Sequence, residues 1–255
     1  MPAILVEHLS KHYGADGGTS ASDAPAVDGI SFAVARGTTC ALLGGNGAGK
    51  TTTLSMLLGL LKPTGGRALI LGHDIERDRY AVLPRMNFTS PYVDLPKRLT
   101  VRENLTVFAR LYNLKHAADR VAELARHYQI SELMKRPYGS LSAGQRTRVS
   151  VAKALLNSPE VLLLDEPTAS LDPDAADLVR TLLAQYQTDT GATFLLASHN
   201  MPEVERLAGQ VLMMRNGAIV DTGSPAALIG KYGRVTLEEV FLDIARDRSA
   251  AGAVA

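Results

Sequence analysis

The chain has 255 residues, 46% of them hydrophobic, which is enough for one large domain or two small ones with a substantial core. Its 27 Lys and Arg are matched by 26 Asp and Glu in scattered order, so no basic stripe marks a nucleic-acid binder and no nucleic-acid partner is expected. The single cysteine, Cys40, excludes an internal disulfide and argues against a metal cluster; within Thr39-Cys40-Ala41-Leu42-Leu43 it reads as an inert strand residue.

The N-terminal stretch Met1-Pro2-Ala3-Ile4-Leu5-Val6-Glu7-His8 lacks a basic segment followed by an apolar one, so no signal peptide is expected. Apolar runs such as Val161 to Leu164 and Phe194 to Ala197 fall far short of the ~20 residues that span a bilayer. A soluble, cytoplasmic chain is the expectation. In chain order, Ile4 to His8, Ile30 to Val34, Thr39 to Leu43, Ala68 to Leu71, Val161 to Leu164, Thr193 to Ala197, Val211 to Arg215 and Ala218 to Thr222 read as strands. They alternate with helical stretches, the rhythm of an α/β domain on a mostly parallel sheet. The first and last pairs of strands are expected to form an antiparallel layer. Gly14 to Pro25, almost without bulky apolar side chains, reads as a mobile loop.

From about Val101 to Leu156 helical spacing takes over, as in Val101, Leu105, Phe108 and Leu111 or Val121, Leu124 and Ala125. The spacing predicts an α-helical subdomain, about 86–156, inserted into a core of about 1–85 and 157–230. A C-terminal helix follows at about 235–247, and the small-residue tail after Asp247 is expected to fray.

Gly44-Gly45-Asn46-Gly47-Ala48-Gly49-Lys50-Thr51 fits GxxxxGK[ST] between an apolar strand and the helical run Thr52 to Leu61, the context of a phosphate-binding P-loop. Glycines let the backbone wrap closely on phosphate oxygens with its N–H groups turned inward, and the following helix adds its positive end. Lys50 is then placed to bridge the β- and γ-phosphates, Thr51 to ligate Mg²⁺ and Thr52 to reach an α-phosphate oxygen. Further on, the apolar strand Val161 to Leu164 runs into Asp165 and Glu166, whose side chains diverge by the period of two. Asp165 is the metal-side acid and Glu166 the general base or water-positioning group. Alone, such acids also solvate a loop or cap a helix; with a P-loop in the same chain they complete a nucleoside-triphosphatase centre, with ATP and Mg²⁺ as cofactors.

Leu141-Ser142-Ala143-Gly144-Gln145 resembles the LSGGQ signature of ABC ATPases. In that family the signature opens a helix whose positive end meets the γ-phosphate held by the opposite subunit, so ATP is sandwiched between two chains. The resemblance gives that contact to Ser142, Ala143, Gly144 and Gln145. Ser142 is equally an ordinary N-cap, which is the same geometry. Ala143 departs from the usual glycine, and a requirement for φ > 0 there would strain its Cβ. Ala169-Ser170-Leu171-Asp172 looks like the D-loop of the dimer interface, coupling the two sites through Ser170 and Asp172. His199 stands where the family places its switch histidine, which bonds the γ-phosphate and helps hold the water. Tyr13, beside His12, matches the aromatic that stacks on adenine; an exposed strand-end tyrosine is the alternative.

One family feature is missing. The glutamine that usually contacts Mg²⁺ at the start of the helical subdomain has no counterpart in Met86-Asn87-Phe88-Thr89-Ser90-Pro91. Ser90 or Thr89 could ligate through a hydroxyl, or Asn87 through its amide, each with a shorter reach.

Over roughly residues 1 to 230 the resemblance implies the ATP-binding and hydrolysing subunit of a transporter, a P-loop NTPase fold working as a homodimer or other ABC ATPase dimer. It would sit on the cytoplasmic face of the inner membrane against a separate transmembrane permease. Leu99 to Leu105 and Thr236-Leu237-Glu238-Glu239-Val240-Phe241-Leu242 look like the ATPases of bacterial drug, lipid and polysaccharide exporters, which implies export. Leu237, Val240 and Phe241 also read as core packing. The alternative is a soluble ABC ATPase with a regulatory, translation or DNA-repair role; against it, this chain has one ATPase unit and no sustained heptads.

Overall fold

The structure, a computed structural model, describes residues 1–13, 24–91, 93–169 and 171–246. Most of the Gly14 to Pro25 loop and the tail after Asp247 lie outside those residues. The strands are β1 (Ile4–Lys11), β2 (Val27–Val34), β3 (Thr39–Gly44), β4 (Gly65–Ile70), β5 (His73–Asp74), β6 (Met86–Thr89), β7 (Val161–Asp165), β8 (Thr193–Ser198), β9 (Gln210–Arg215) and β10 (Ala218–Gly223). The helices are α1 (Lys50–Leu57), α2 (Arg79–Val82), α3 (Val101–Leu111), α4 (Ala117–His127), α5 (Ala143–Ala154), α6 (Pro173–Thr190), α7 (Met201–Leu207), α8 (Pro225–Tyr232) and α9 (Leu237–Ala245). Two compact units result: Met1–Val82 with Thr193–Ala255, and Leu83–Ala192. This division puts β7 and α6 in the same unit as the inserted helices.

In the first unit, β1 pairs antiparallel with β2 and β4, with Ile4 opposite both Val34 and Ile70. Alternation along β2 turns Ile30, Phe32 and Val34 inward and leaves the residues between them exposed. A second sheet has β3 flanked by β8 and β9, both parallel to it. Every residue of β3 and β8 is buried, which is why these strands read as unbroken apolar runs and not as alternation. The expectation for the last strand pair needs correction. β9 and β10 are antiparallel to each other, but β9 joins β3 in the parallel sheet, its buried Val211 to Met214 matching an interior strand. Their turn, Asn216-Gly217, has φ of 51° and 80°, the left-handed pair that a tight hairpin requires.

The second unit holds β6 parallel to β7, Thr89 opposite Leu164, so both strands end at one edge. Helices α3 and α5 each open with a reciprocal capping box, Thr100 with Glu103 and Ser142 with Gln145. The far end of α5 is held by Arg120, which donates to the carbonyls of Leu155 (2.8 Å) and Leu156 (3.3 Å).

Asp221 on β10, only 9% exposed, accepts from Lys231 Nζ at 2.7 and 2.8 Å and from the Tyr232 hydroxyl at 2.9 Å, tying α8 to the sheet. Burial pushes its carboxyl upward, but the bonds from Lys231, Tyr232 and the Thr222 N–H outweigh it and hold the pKa below the ordinary value. A carboxylate depressed on folding stabilises the protein above its unfolded pKa, and that contribution is lost as pH falls through the folded value. Asp221→Asn is therefore expected to cost about 1–3 kcal/mol at neutral pH. Urea unfolding should show the gap to wild type closing in acid.

Candidate functional site

At the end of β3 the chain turns sharply into α1, and the glycines of the turn serve different purposes. A Cβ on Gly44 would lie 2.6 Å from the Met214 carbonyl oxygen and 2.8 Å from Ala48 Cβ. Gly49 has φ of 101°, and a Cβ there would lie 2.5 Å from the Ala26 carbonyl oxygen. Gly47 needs only its left-handed backbone, and Gly45 has open space around it. The N-cap of α1 is Gly49 itself, and no side chain caps that end, so the first-turn N–H groups and the positive end of the helix face the loop. Lys50 is 7% exposed and its Nζ donates to the carbonyls of Gly44 (2.6 Å) and Gly45 (3.2 Å), placing a cation under the turn. Asn46 and Thr51 are exposed, Thr52 half-buried and Ala48 buried.

His199 follows directly on β8. Because Ser198 is the register partner of Leu43, His199 comes off the same sheet edge as Gly44, at the carboxyl ends of the parallel strands where α/β folds bind ligands. Its imidazole is exposed, while buried Ser198 donates to Glu203 Oε2 (2.6 Å) and accepts from the Asn200 N–H (3.0 Å), fixing the first turn of α7. Tyr13 lies just past β1, 57% exposed, with Lys11 Nζ 5.5 Å from its ring centroid. The Lys11 carbonyl accepts from the Ala26 N–H (2.8 Å), and Ala26 is the residue packed on Gly49, so the end of β1 is tied to the chain beside the loop.

In the second unit the end of β7 presents Asp165 and Glu166, which are 3% and 8% exposed. Glu166 has φ of 49°, a costly conformation for a side-chain-bearing residue, and its carbonyl accepts from the Ala169 N–H at 3.0 Å. The turn redirects the chain immediately after β7. Ser90, one step beyond β6, donates through Oγ to Asp165 Oδ2 at 3.4 Å. Asn87 is committed elsewhere: its Nδ2 donates to Asn157 Oδ1 (2.7 Å) and Tyr112 OH (3.1 Å), and its Oδ1 accepts from the Phe88 N–H. Thr89 is buried in the ladder opposite Leu164. Of the three side chains considered in place of the missing glutamine, Ser90 is the one bonded to Asp165. Lys153 of α5 donates to the Phe88 carbonyl (3.2 Å), and burial lowers its pKa.

Ser142 Oγ accepts from the Gln145 N–H (3.3 Å) while Gln145 Oε1 accepts from the Ser142 N–H (3.1 Å), so both side chains build the start of α5. Ala143 is the first residue of that helix, with helical backbone, and a left-handed conformation is not required there. Gly144 is different, since a Cβ would stand 3.0 Å from Ala175 Cβ of α6. Asp172 caps α6 by accepting from the Ala175 N–H (2.9 Å); Ser170 lies outside the described residues. Tyr13, Gly44 to Thr52 and His199 thus belong to the first unit, and Ser90, Ser142 to Gln145, Asp165, Glu166 and Asp172 to the second. Sequence reasoning missed the packing shell of the loop, Ala26, Met214 and Gly217, although Asn216-Gly217 between two apolar runs is a hairpin signal that could have placed the last of these.

The glycine geometry has a direct consequence. Gly44→Ala and Gly49→Ala are each expected to weaken nucleotide binding at least about tenfold, whereas Gly45→Ala stays within about threefold. Titration with a fluorescent nucleotide reads the contrast, and equal loss at all three positions would contradict it.

The ABC transporter family model matches residues 27–169. The Nod factor export ATP-binding protein I of Ralstonia nicotianae is 38% identical over 95% of this chain and 73% of its own length. The daunorubicin resistance ATP-binding protein DrrA3 of Streptomyces coeruleorubidus is 35% identical over 94% of this chain and 73% of its own. Among solved structures, cbiO1 from Clostridium perfringens, part of the ABC transporter complex cbiONQ, superimposes with a TM-score of 0.76 at 29% identity, covering 97% of each chain. An ATP-binding subunit of an ABC transporter shares the fold with a TM-score of 0.81 at 24% identity, over 95% of this chain and 99% of that one. A family match over more than half of the sequence, with relatives aligned along nearly all of it, means that this chain belongs to the ABC transporter family, as one of its ATP-binding and ATP-hydrolysing subunits.

Proposed function

We propose that this chain powers export: two copies, or one copy and a related ATPase, close on ATP and drive a separate permease from the cytoplasmic face of the membrane. The observation that carries the reading is the 38% and 35% identity, along nearly all of this chain and 73% of theirs, to proteins named for Nod factor export and daunorubicin resistance. Among the described residues no helix is long and apolar enough to cross a membrane, and the proposal gives the crossing to the permease.

Within the site, Lys50 and the positive end of α1 hold the β- and γ-phosphates, with Gly44 to Thr52 as the cradle and Tyr13 stacking on adenine. Glu166 takes or orients the proton of the attacking water, and His199 steadies the γ-phosphate. Ser142 to Gln145 and Asp172 approach the ATP of the partner subunit, the capped start of α5 offering its positive end. Asp165, Ser90 and Thr51 would hold Mg²⁺. The donors fit: a single buried carboxylate and hydroxyls suit a hard cation that takes its other ligands from phosphate and water. When bound, Mg²⁺ supplies charge neutralisation on the phosphate oxygens.

Glu166→Gln is expected to lower ATP turnover at least about 100-fold while ATP-dependent dimers persist on gel filtration. Wild-type turnover in that variant would remove Glu166 from its role, and failure of the chain to co-purify with any polytopic membrane protein would remove the permease. Ser90→Ala should raise the Mg²⁺ concentration for half-maximal turnover by about three- to tenfold, and Ser90→Gln should bring it back. An unchanged Mg²⁺ titration in both variants would leave Asp165 without Ser90 as its helper.

A further inference from the structure

Three features of the first unit converge on the phosphate loop. The tip of the β9–β10 hairpin touches the loop directly, the Gly217 N–H donating to the Ala48 carbonyl at 3.2 Å while the Gly217 carbonyl accepts from the Asp28 N–H at 2.9 Å. Two positions earlier, Arg215 Nη1 donates to the carbonyl of Ile244 at 2.8 Å, at the end of α9. The last carbonyls of a helix lack intrahelical partners and carry its partial negative charge, so a guanidinium there is both a cap and a favourable charge contact. Phe241 and Ile244 of α9 share a cavity with Gly45, Asn46, Ala48 and Arg215, which puts that end of the helix beside the loop.

The other end of α9 reaches the His199 segment. The Leu237 N–H donates to Glu205 Oε1 at 3.2 Å, and Glu205 lies on α7, the helix that begins immediately after His199 and Asn200. α9 is built to transmit position: Thr236 caps it, and Arg234 Nε donates to Asp243 Oδ2 at 2.6 Å across its length. Burial of Leu237, Val240 and Ile244 explains why a helix packs here. Packing alone does not explain why each end is pinned by a polar bond, one to the strand whose hairpin touches the phosphate loop and one to the helix that follows the histidine.

We propose that α9 is a brace holding the phosphate loop and the helix that follows His199 in one register, with Arg215 as its positioning residue for ATP hydrolysis. Arg215 acts through the Ile244 carbonyl and needs no contact with nucleotide. The inference rests on the roles given above to the loop and to His199.

The test uses the full chain. Arg215→Met, which keeps an apolar stem and loses the donor, is expected to lower kcat about fivefold with KM for ATP within about twofold, and Arg215→Lys to recover at least half of the loss. Glu205→Ala at the opposite end should give the same kcat-dominated pattern. In the nucleotide-free protein, amide exchange over residues 44–49 should speed up about threefold in Arg215→Met at unchanged unfolding temperature. Wild-type kcat in Arg215→Met, a loss that merely follows the fraction of folded protein, or no recovery with lysine would overturn the brace. If the wild-type chain had no turnover at all, the ATPase reading would be at fault, and the amide-exchange comparison would still decide whether Arg215 positions the loop.

Discussion

A loop that wraps its N–H groups around phosphate must enter and leave sharply, and in this protein its two ends, Gly44 and Gly49, have no room for β-carbons, a constraint that organises the first unit. Gly49 lies against the carbonyl of Ala26 at the entry to β2, and Gly44 against the carbonyl of Met214 near the end of β9. Those contacts require β2 and the β9–β10 hairpin to arrive at one place, although they come from opposite ends of the chain. The parallel register of β3 with β9 brings the hairpin there, the Asp28 N–H bond to the Gly217 carbonyl ties β2 to it, and the register with β8 delivers His199 to the same edge. Lys50, nearly buried, then finds acceptors for its Nζ in two carbonyls of the loop itself.

In the second unit the organising constraint is strain. Glu166 holds a left-handed backbone that a side-chain-bearing residue adopts at a cost of about 1–3 kcal/mol. Fully buried β7 on one side and the turn closed by the Ala169 N–H on the other keep it there. Without that kink, adjacent acids on a strand would point to opposite faces of a sheet. With it, Asp165 stays in β7, bonded to Ser90, and the chain leaves the strand at Glu166.

The eight strands read from the sequence are all present, because each is a buried or alternating apolar run. β5 and β6 were missed because they are short: Met86-Asn87-Phe88-Thr89 does alternate, but over only four residues, and all but Phe88 are buried, Asn87 being accommodated only because Asn157 and Tyr112 arrive from elsewhere in the unit. The placing of β9 beside β3 was likewise invisible, since a hairpin looks the same whether it ends an antiparallel layer or extends a parallel sheet. At the site, the phosphate loop and the acid pair were legible because chemistry restricts residue type at each position. Arg215, Ala26 and Met214 were not, because they act through backbone carbonyls or long-range packing that leaves no motif. The doubt raised by Ala143 disappears for a local reason: the position opens a helix, and the close contact falls one residue later, on Gly144.

The missing glutamine is where sequence and structure together say more than either alone. Asn87 cannot replace it, since releasing that carboxamide would leave Asn157, Tyr112 and the Phe88 N–H short of partners inside a packed unit. Ser90 is shorter but already bonded to Asp165, so the contact exists without a long side chain swinging in. The same strand is held from the other side, where Lys153 of α5 donates to the Phe88 carbonyl. The helix that opens with Ser142 is therefore joined to Asp165 by two polar bonds with only the Phe88 to Ser90 backbone between them. A glutamine makes such a connection through its own flexible side chain, and the link here runs through a paired strand. A shift of α5 along its axis would be felt at Asp165 directly, because a hydrogen-bonded strand has far fewer conformations in which to absorb it than a free side chain has rotamers.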